Sequence, residues 1–148
     1  MIYAAQGTQT AGSKTALVLV STANGRPSLI EYVLSNVGIV AVDSQFQVQL
    51  KWFTAPGTTT PVVPTPIDPS DPPATLLTAG SNATAEPTYL AGSVIDDLGI
   101  NPRGIYRWAA YDPSAEIILP ASAGGGIGFF LNVLGGALTV VANAKVRQ

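Results

Sequence analysis

The sequence predicts an all-β fold, a single-domain β-sandwich or jelly-roll-like barrel that carries a long Pro-rich arm. Three observations lead there. Gln45 to Phe53 (QFQVQLKWF) alternates strictly, with Phe46, Val48, Leu50 and Trp52 set against Gln45, Gln47, Gln49 and Lys51, which is the period of a strand with one wet face. Roughly eight short segments of β-branched, aromatic or alternating character are separated by Gly, Pro and Asn turns, and none holds a helical period beyond two turns. The chain has 148 residues, enough for one core and cramped for two.

The elements follow in order. Lys14 to Thr22 (KTALVLVST) is apolar on both faces, as expected of a strand covered on each side, and it ends at a turn centred on Asn24-Gly25. Ser28 to Asn36 (SLIEYVLSN) fits a strand or two helical turns by period. Tyr32 and Val33 favour the strand, with Pro27 before it and Asn36 and Gly38 closing it. After Gln45 to Phe53 comes Thr54 to Pro73 (TAPGTTTPVVPTPIDPSDPP), which has no period at all. Glu86 to Asp112 holds a strand, a turn at INPRG, and a second strand in which Ile105, Arg107 and Ala109 oppose Tyr106, Trp108 and Ala110. A short EIILP (Glu116 to Pro120) precedes two apolar segments, Ile127 to Leu134 and Ala137 to Arg147. In the last of these, Leu138, Val140, Ala142, Ala144 and Val146 form the inward face. The strands before and after the Pro-rich stretch each have one face to bury, and burying them together makes that stretch an excursion from one domain, residues 1–148.

Composition narrows the function. Charged residues are 11% of the chain against 47% hydrophobic, about half the charge of an ordinary soluble domain, so the surface is poorly protected from association. Net charge is −2 and the seven basic residues are scattered, which argues against a nucleic-acid partner. Without Cys or His there is no imidazole base, no Ser/His/Asp or Cys/His arrangement, and no zinc site of the usual ligands. The opening MIYAAQGTQTAGSK lacks the basic start and apolar core of a secretory signal, so synthesis in the cytoplasm without an export signal is expected. Gly124 to Ala144 is long enough to span a bilayer, but Gly135-Gly136 interrupts it and polar residues follow, so no membrane partner is expected.

The remaining chemical candidates are weak. Asp96 and Asp97 are adjacent, so in a strand they point to opposite faces and read as one edge and one solvated aspartate. Asp68 and Asp71 (DPSD) have the spacing to hold a Ca²⁺ and equally the composition of an ordinary turn. Ala123 to Phe130 (AGGGIGFF) lacks the Lys and Ser/Thr of a phosphate loop and reads as a tight turn. Trp52, Phe53, Tyr106 and Trp108 read as core aromatics, with a stacking platform for sugar or bases as the alternative. No catalytic group, cofactor or metal is expected, and the protein reads as a non-enzyme.

The Pro-rich stretch is the best pointer to a binding or structural role. Pro61, Pro64, Pro66, Pro69, Pro72 and Pro73 pre-set the backbone, so ordering it costs less entropy than ordering a Gly/Ser loop. With Val62, Val63 and Ile67 as apolar teeth, residues 54–73 suit a groove on a neighbouring subunit. The partner-contact residues expected are Ile2 and Tyr3 of an N-terminal arm (residues 1–12) with Pro61, Val62, Val63, Pro64, Pro66, Ile67 and Pro69.

The order of several blocks adds a resemblance. LKWFTAPGTTTPVVPTPIDPSDPPAT, then GSNATAEPTYLAGSVIDDLGINPRGIYRWAAYDPSAEIILPASAGGGIGFFLNV, then a final β segment, resembles a group of small virion proteins of tailed bacteriophages. The matching positions are Phe53 to Ala74, Ala85 to Leu90, Ile100 to Ala110, Glu116 to Ala123 and Gly125 to Phe129. The chain departs from the group at Tyr111-Asp112-Pro113, where the group has a Gly-rich turn. The resemblance implies a capsid decoration or cement protein that binds the outside of an expanded head. It also implies a β-sandwich or jelly-roll module, a homotrimer, and the major capsid protein as partner. The alternative role is coat, or a head-fibre module that binds a carbohydrate receptor through Trp52, Trp108 or Tyr111.

Overall fold

The computed structural model describes residues 1–10, 13–37, 45–133 and 139–148. Leu134, Leu138, Gly38, Gly135, Gly136, Ala137 and the end of the N-terminal segment at Gly12, all singled out above, lie outside the described residues. The described chain forms strands β1 (Ile2–Thr10), β2 (Lys14–Ser21), β3 (Ser28–Val37), β4 (Phe46–Ala55), β5 (Thr58–Val62) and β6 (Thr65–Pro66). They are followed by β7 (Leu77–Ala85), β8 (Thr88–Ile100), β9 (Tyr106–Ala109), β10 (Ile117–Ile118), β11 (Gly126–Val133) and β12 (Thr139–Arg147). One 3₁₀ turn, Pro113–Ala115, is capped by the Asp112 side chain, and it occupies the place where the chain departs from the resembling group.

All pairings are antiparallel and nested from the ends inward: β1 with β12, β2 with β11, β3 with β9 and β10, β4 with β8. The two sheets run β10-β3-β12-β1-β6, with β9 also on β3, and β5-β7-β2-β11-β4-β8. A long hairpin rolled up in this way, its outermost strands meeting in one sheet and the next pair in the other, has the strand order of a jelly roll. The all-β sandwich expected from the sequence is therefore the observed fold. Its core is drawn from the inward faces of both sheets: Leu29, Tyr32, Leu34, Val140, Ala142, Ala144 and Val146 from one; Leu17, Leu19, Phe46, Val48, Leu50, Ile127, Phe129 and Leu131 from the other. The inward face expected for the last strand is buried at each described position.

Four features depart from the sequence expectations. Residues 2–10 are a strand inside a sheet, held between β12 and β6, and not an arm. Their inward positions are Tyr3, Ala5, Gly7 and Gln9, too small or polar to register as a hydrophobic period. Gly7 is required there, because a Cβ would strike the Ala16 carbonyl and stand 2.7 Å from Leu17 Cβ where the sheets close together. Second, the Pro-rich stretch lies on its own chain, β5 pairing with β7 at the edge of one sheet and β6 with β1 at the edge of the other. Third, the wet face of β4 is covered at its end: pairing with β11 runs unbroken from Phe46 to Phe53, so Phe53 shares the face of Gln47, Gln49 and Lys51, yet it is buried there against Tyr89, while Trp52 on the core face is half-buried.

The fourth departure concerns AGGGIGFF, which is a turn only as far as Gly125; Gly126 and Gly128 belong to β11. Their role follows from the topology. Two residues separate β4 from β5, and two separate β7 from β8, yet both connections pass from one side of β2 and β11 to the other. The double-stranded ribbon must therefore cross a face of that sheet. Tyr89 marks the crossing on the outer face: its hydroxyl meets Thr15 Oγ1 of β2 at 2.5 Å, its ring lies edge-on to Phe53 and Phe130, and Lys51 Nζ sits 4.9 Å from its centroid. Glycine at 128 leaves room for the Tyr89 phenol, and glycine at 126 leaves room for Phe53. Close backbone approach is a standing use of glycine inside a strand.

Candidate interaction surface

The Pro-rich edge is built on the core. Pro64 is buried and Val62 packs against the core cluster, so residues 58–66 are seated from beneath. Ile67 N–H donates to the Ile2 carbonyl at 2.9 Å, and the buried Tyr3 hydroxyl donates to the Pro72 carbonyl at 2.9 Å. Between these anchors Asp71 N–H donates to the Asp68 carbonyl, and Ser70 N–H to Asp68 Oδ1, so DPSD is a closed turn. Of the expected contact residues, Tyr3 faces inward and is core, and Pro64 is buried. Ile2, Val62 and Pro66 are half-buried, and Pro61, Val63, Ile67 and Pro69 are exposed, with Val63 80% and Ile67 52% accessible.

Beside this edge runs a shallow groove on the outer face of the β1-containing sheet. Ala4, Gln6, Val62, Val63 and Thr65 line a depression of about 400 Å³. Ala4 and Gln6 are shared with a second depression of about 310 Å³ that reaches Val33, Asn143, Lys145 and Glu31. Beyond it Glu31 bonds Lys145 Nζ and an Arg107 guanidinium nitrogen, both at 3.1 Å, and Arg147 pairs with Glu116, which also accepts from Ser28. The Arg107 hydrogen bond first, and Lys145 with it, hold the Glu31 carboxyl below the usual range against the opposing effect of its burial.

A second concavity opens at the opposite edge. Arg26, Trp52, Phe53, Leu90, Ile118 and Pro120 line a cleft of about 290 Å³, small for a free ligand and large enough for one or two side chains. Leu90 and Ile118 are each about half accessible, and among the described residues Arg26 has no ion-pair partner. The sequence held no sign of this cleft, because its lining comes from four separate segments. The expected aromatic cluster is split: Trp108 stacks on Tyr32 at 5.4 Å beside Tyr106, while Trp52 sits in the cleft and Phe53 under Tyr89. Tyr111 is 87% exposed.

The carboxylates have separate partners. Asp96 accepts from the buried Tyr32 hydroxyl at 2.7 Å, while Asp97 on the opposite face accepts from Gln47 and Gln49. Burial and the Asp96 carboxylate both push the Tyr32 phenol far above its ordinary pKa. Asp112 caps its turn, and its bonds from Ser114 hold its carboxyl below the usual range. Among the described residues no three His, Cys, Asp or Glu side chains group as metal ligands, and no helix is long and apolar enough to cross a membrane. No family model, curated protein or solved structure matches the chain.

Proposed function

We propose that this chain is a structural virion protein of a tailed bacteriophage, a decoration or cement protein that binds the outer surface of the capsid as a trimer and stabilises the head. The Pro-rich edge carries the reading. It is tied down at Ile2 and Tyr3, so its extended shape is paid for within the monomer, and yet Val63 and Ile67 stand bare beside a shallow groove. Pre-ordered apolar teeth on a chain with so little charge favour assembly with other subunits. The block resemblance supports the same reading, and the jelly roll is a module that viral capsids use repeatedly. A fold is shared by many functions, so the site and not the fold bears the weight.

On this reading the rolled sandwich supplies a rigid body, and many modest contacts to neighbouring subunits add through effective concentration. The test is the mass of the purified protein by light scattering, followed by co-sedimentation with undecorated expanded capsids. A trimer that pellets with capsids and not alone is expected. A chain that ignores capsids overturns the proposal, and large self-assembled particles would make it the coat instead.

A further inference from the structure

We infer that copies of this chain join head to tail, the Ile67–Asp71 tip of one seated in the Arg26/Trp52/Leu90/Ile118/Pro120 cleft of the next. This deepens the reading above, on which it rests only for the number of copies that close the ring. The two surfaces complement each other in charge and polarity. The tip offers an exposed Ile67 flanked by Asp68 and Asp71, neither paired with a cation among the described residues. The cleft offers apolar walls and, at its rim, Arg26, which has no ion-pair partner among the described residues. An isoleucine side chain suits its volume, and a carboxylate on either flank of Ile67 has a guanidinium to meet.

Their placement decides between self-contact and contact with a second copy. Ile118 lies opposite Ser28, Ser28 opposite Arg147, and Arg147 opposite Ile2, whose carbonyl accepts from Ile67 N–H. Ile118 and Ile67 thus end one straight cross-strand row at opposite edges of the same sheet. Four strand spacings separate them, roughly 19 Å. A tip fastened at Ile2 and Tyr3 cannot fold back over that distance, so its seat belongs to another molecule. Because donor and acceptor surfaces differ and sit at the same end of the sandwich, repetition of the contact is heterologous and closes into a ring if the rotation permits.

A mixing experiment tests this. Ile67→Asp disables the tip and leaves the cleft; Ile118→Asp disables the cleft and leaves the tip; Arg26→Glu is a second cleft variant should Ile118→Asp fail to fold by circular dichroism. By sedimentation equilibrium each variant alone is expected to be monomeric where the unaltered chain is oligomeric, a rise of at least tenfold in dissociation constant. An equimolar mixture of a tip variant and a cleft variant retains one intact contact, and is expected to form dimers and nothing larger. Folded variants that keep the unaltered mass, a mixture that stays monomeric, or an unaltered chain that is monomeric to its solubility limit would each overturn the inference. Capsid co-sedimentation separates the two proposals. A chain that pellets with capsids while its variants keep their mass fails here alone, and one that forms the mixed dimer but ignores capsids fails only the capsid reading.

Discussion

Gly128→Ala probes the ribbon that crosses the outer face of the β2-β11-β4 sheet. A Cβ at 128 would intrude on the Tyr89 hydroxyl and stand 3.0 Å from Cε1 and 3.1 Å from Cζ of the same ring. The ring cannot simply swing aside. It is set edge-on to Phe53 at 6.4 Å and to Phe130 at 6.0 Å between centroids, and its hydroxyl is bonded to Thr15. Admitting a methyl forfeits that hydrogen bond, about 1 kcal/mol net, and part of two aromatic contacts, each about 0.5–1.5 kcal/mol. The expected loss is about 2 kcal/mol, inside the usual cost of overpacking. For a chain of this length that lowers Tm by roughly 4–8 °C. In a Tyr89→Ala background the obstacle is gone and alanine restricts the unfolded chain, so the same substitution should stabilise by about 0.4–1 kcal/mol.

The sign should therefore reverse between backgrounds, with a coupling close to 3 kcal/mol read from urea unfolding of the four chains in a double-mutant cycle. Burial raises the Tyr89 pKa well above its ordinary value, so the phenol stays protonated throughout a neutral-pH assay. Equal costs of Gly128→Ala with and without Tyr89 would refute the crossing. Gly126→Ala is the contrast: its Cβ would strike the Leu19 carbonyl, which is backbone and cannot yield, so shortening Phe53 should not rescue it.

Two further predictions concern the inner and outer faces of β3. Tyr32→Phe keeps the stack on Trp108 but leaves Asp96 without its donor, and should cost about 1–3 kcal/mol in urea midpoint measurements; a change under about 0.5 kcal/mol would mean that water replaces the hydroxyl freely. Glu31→Gln should cost at most about 1 kcal/mol near neutral pH, because both of its partners are substantially exposed. The folded-state pKa of Glu31 is depressed, so its contribution is fully present above the unfolded value of about 4.3 and lost as pH falls through the folded value. Thermal melts of the two chains should therefore differ down to about that pH and converge below it, and a gap that survives in strong acid would assign the effect to packing.

How much was legible in the sequence varies with how local each feature is. The strands at Lys14–Ser21, Ser28–Val37 and Phe46–Ala55 were readable because alternation and β-branching are properties of neighbouring residues. The opposite orientations of Asp96 and Asp97 followed from the same period. Strands β1 and β7 were not readable, since their inward positions are Tyr3, Ala5 and Gly7, and Leu77, Ala79 and Ala83, too small on the whole to raise a hydrophobic period. Small residues belong there because the sheets press together at that edge, where Ser81 Oγ accepts from Thr8 N–H across the gap.

The sequence by itself determined an all-β chain in one unit, a surface short of charge, the absence of thiol and imidazole chemistry, and a stiff Pro-rich segment with apolar teeth. Each of these depends on residue identity or on the period-two geometry of a strand, and needs no partner to be known. Only the tertiary structure decided that the Pro-rich segment edges both sheets of its own chain, that Tyr3 is core, and that Gly126 and Gly128 are seats for Phe53 and Tyr89. It alone placed Ile67 and Ile118 at opposite ends of one row. Those outcomes depend on which distant strands pair and in what register, and pairing is set by the sum of contacts between segments whose partners lie 17 to 145 residues apart in the chain.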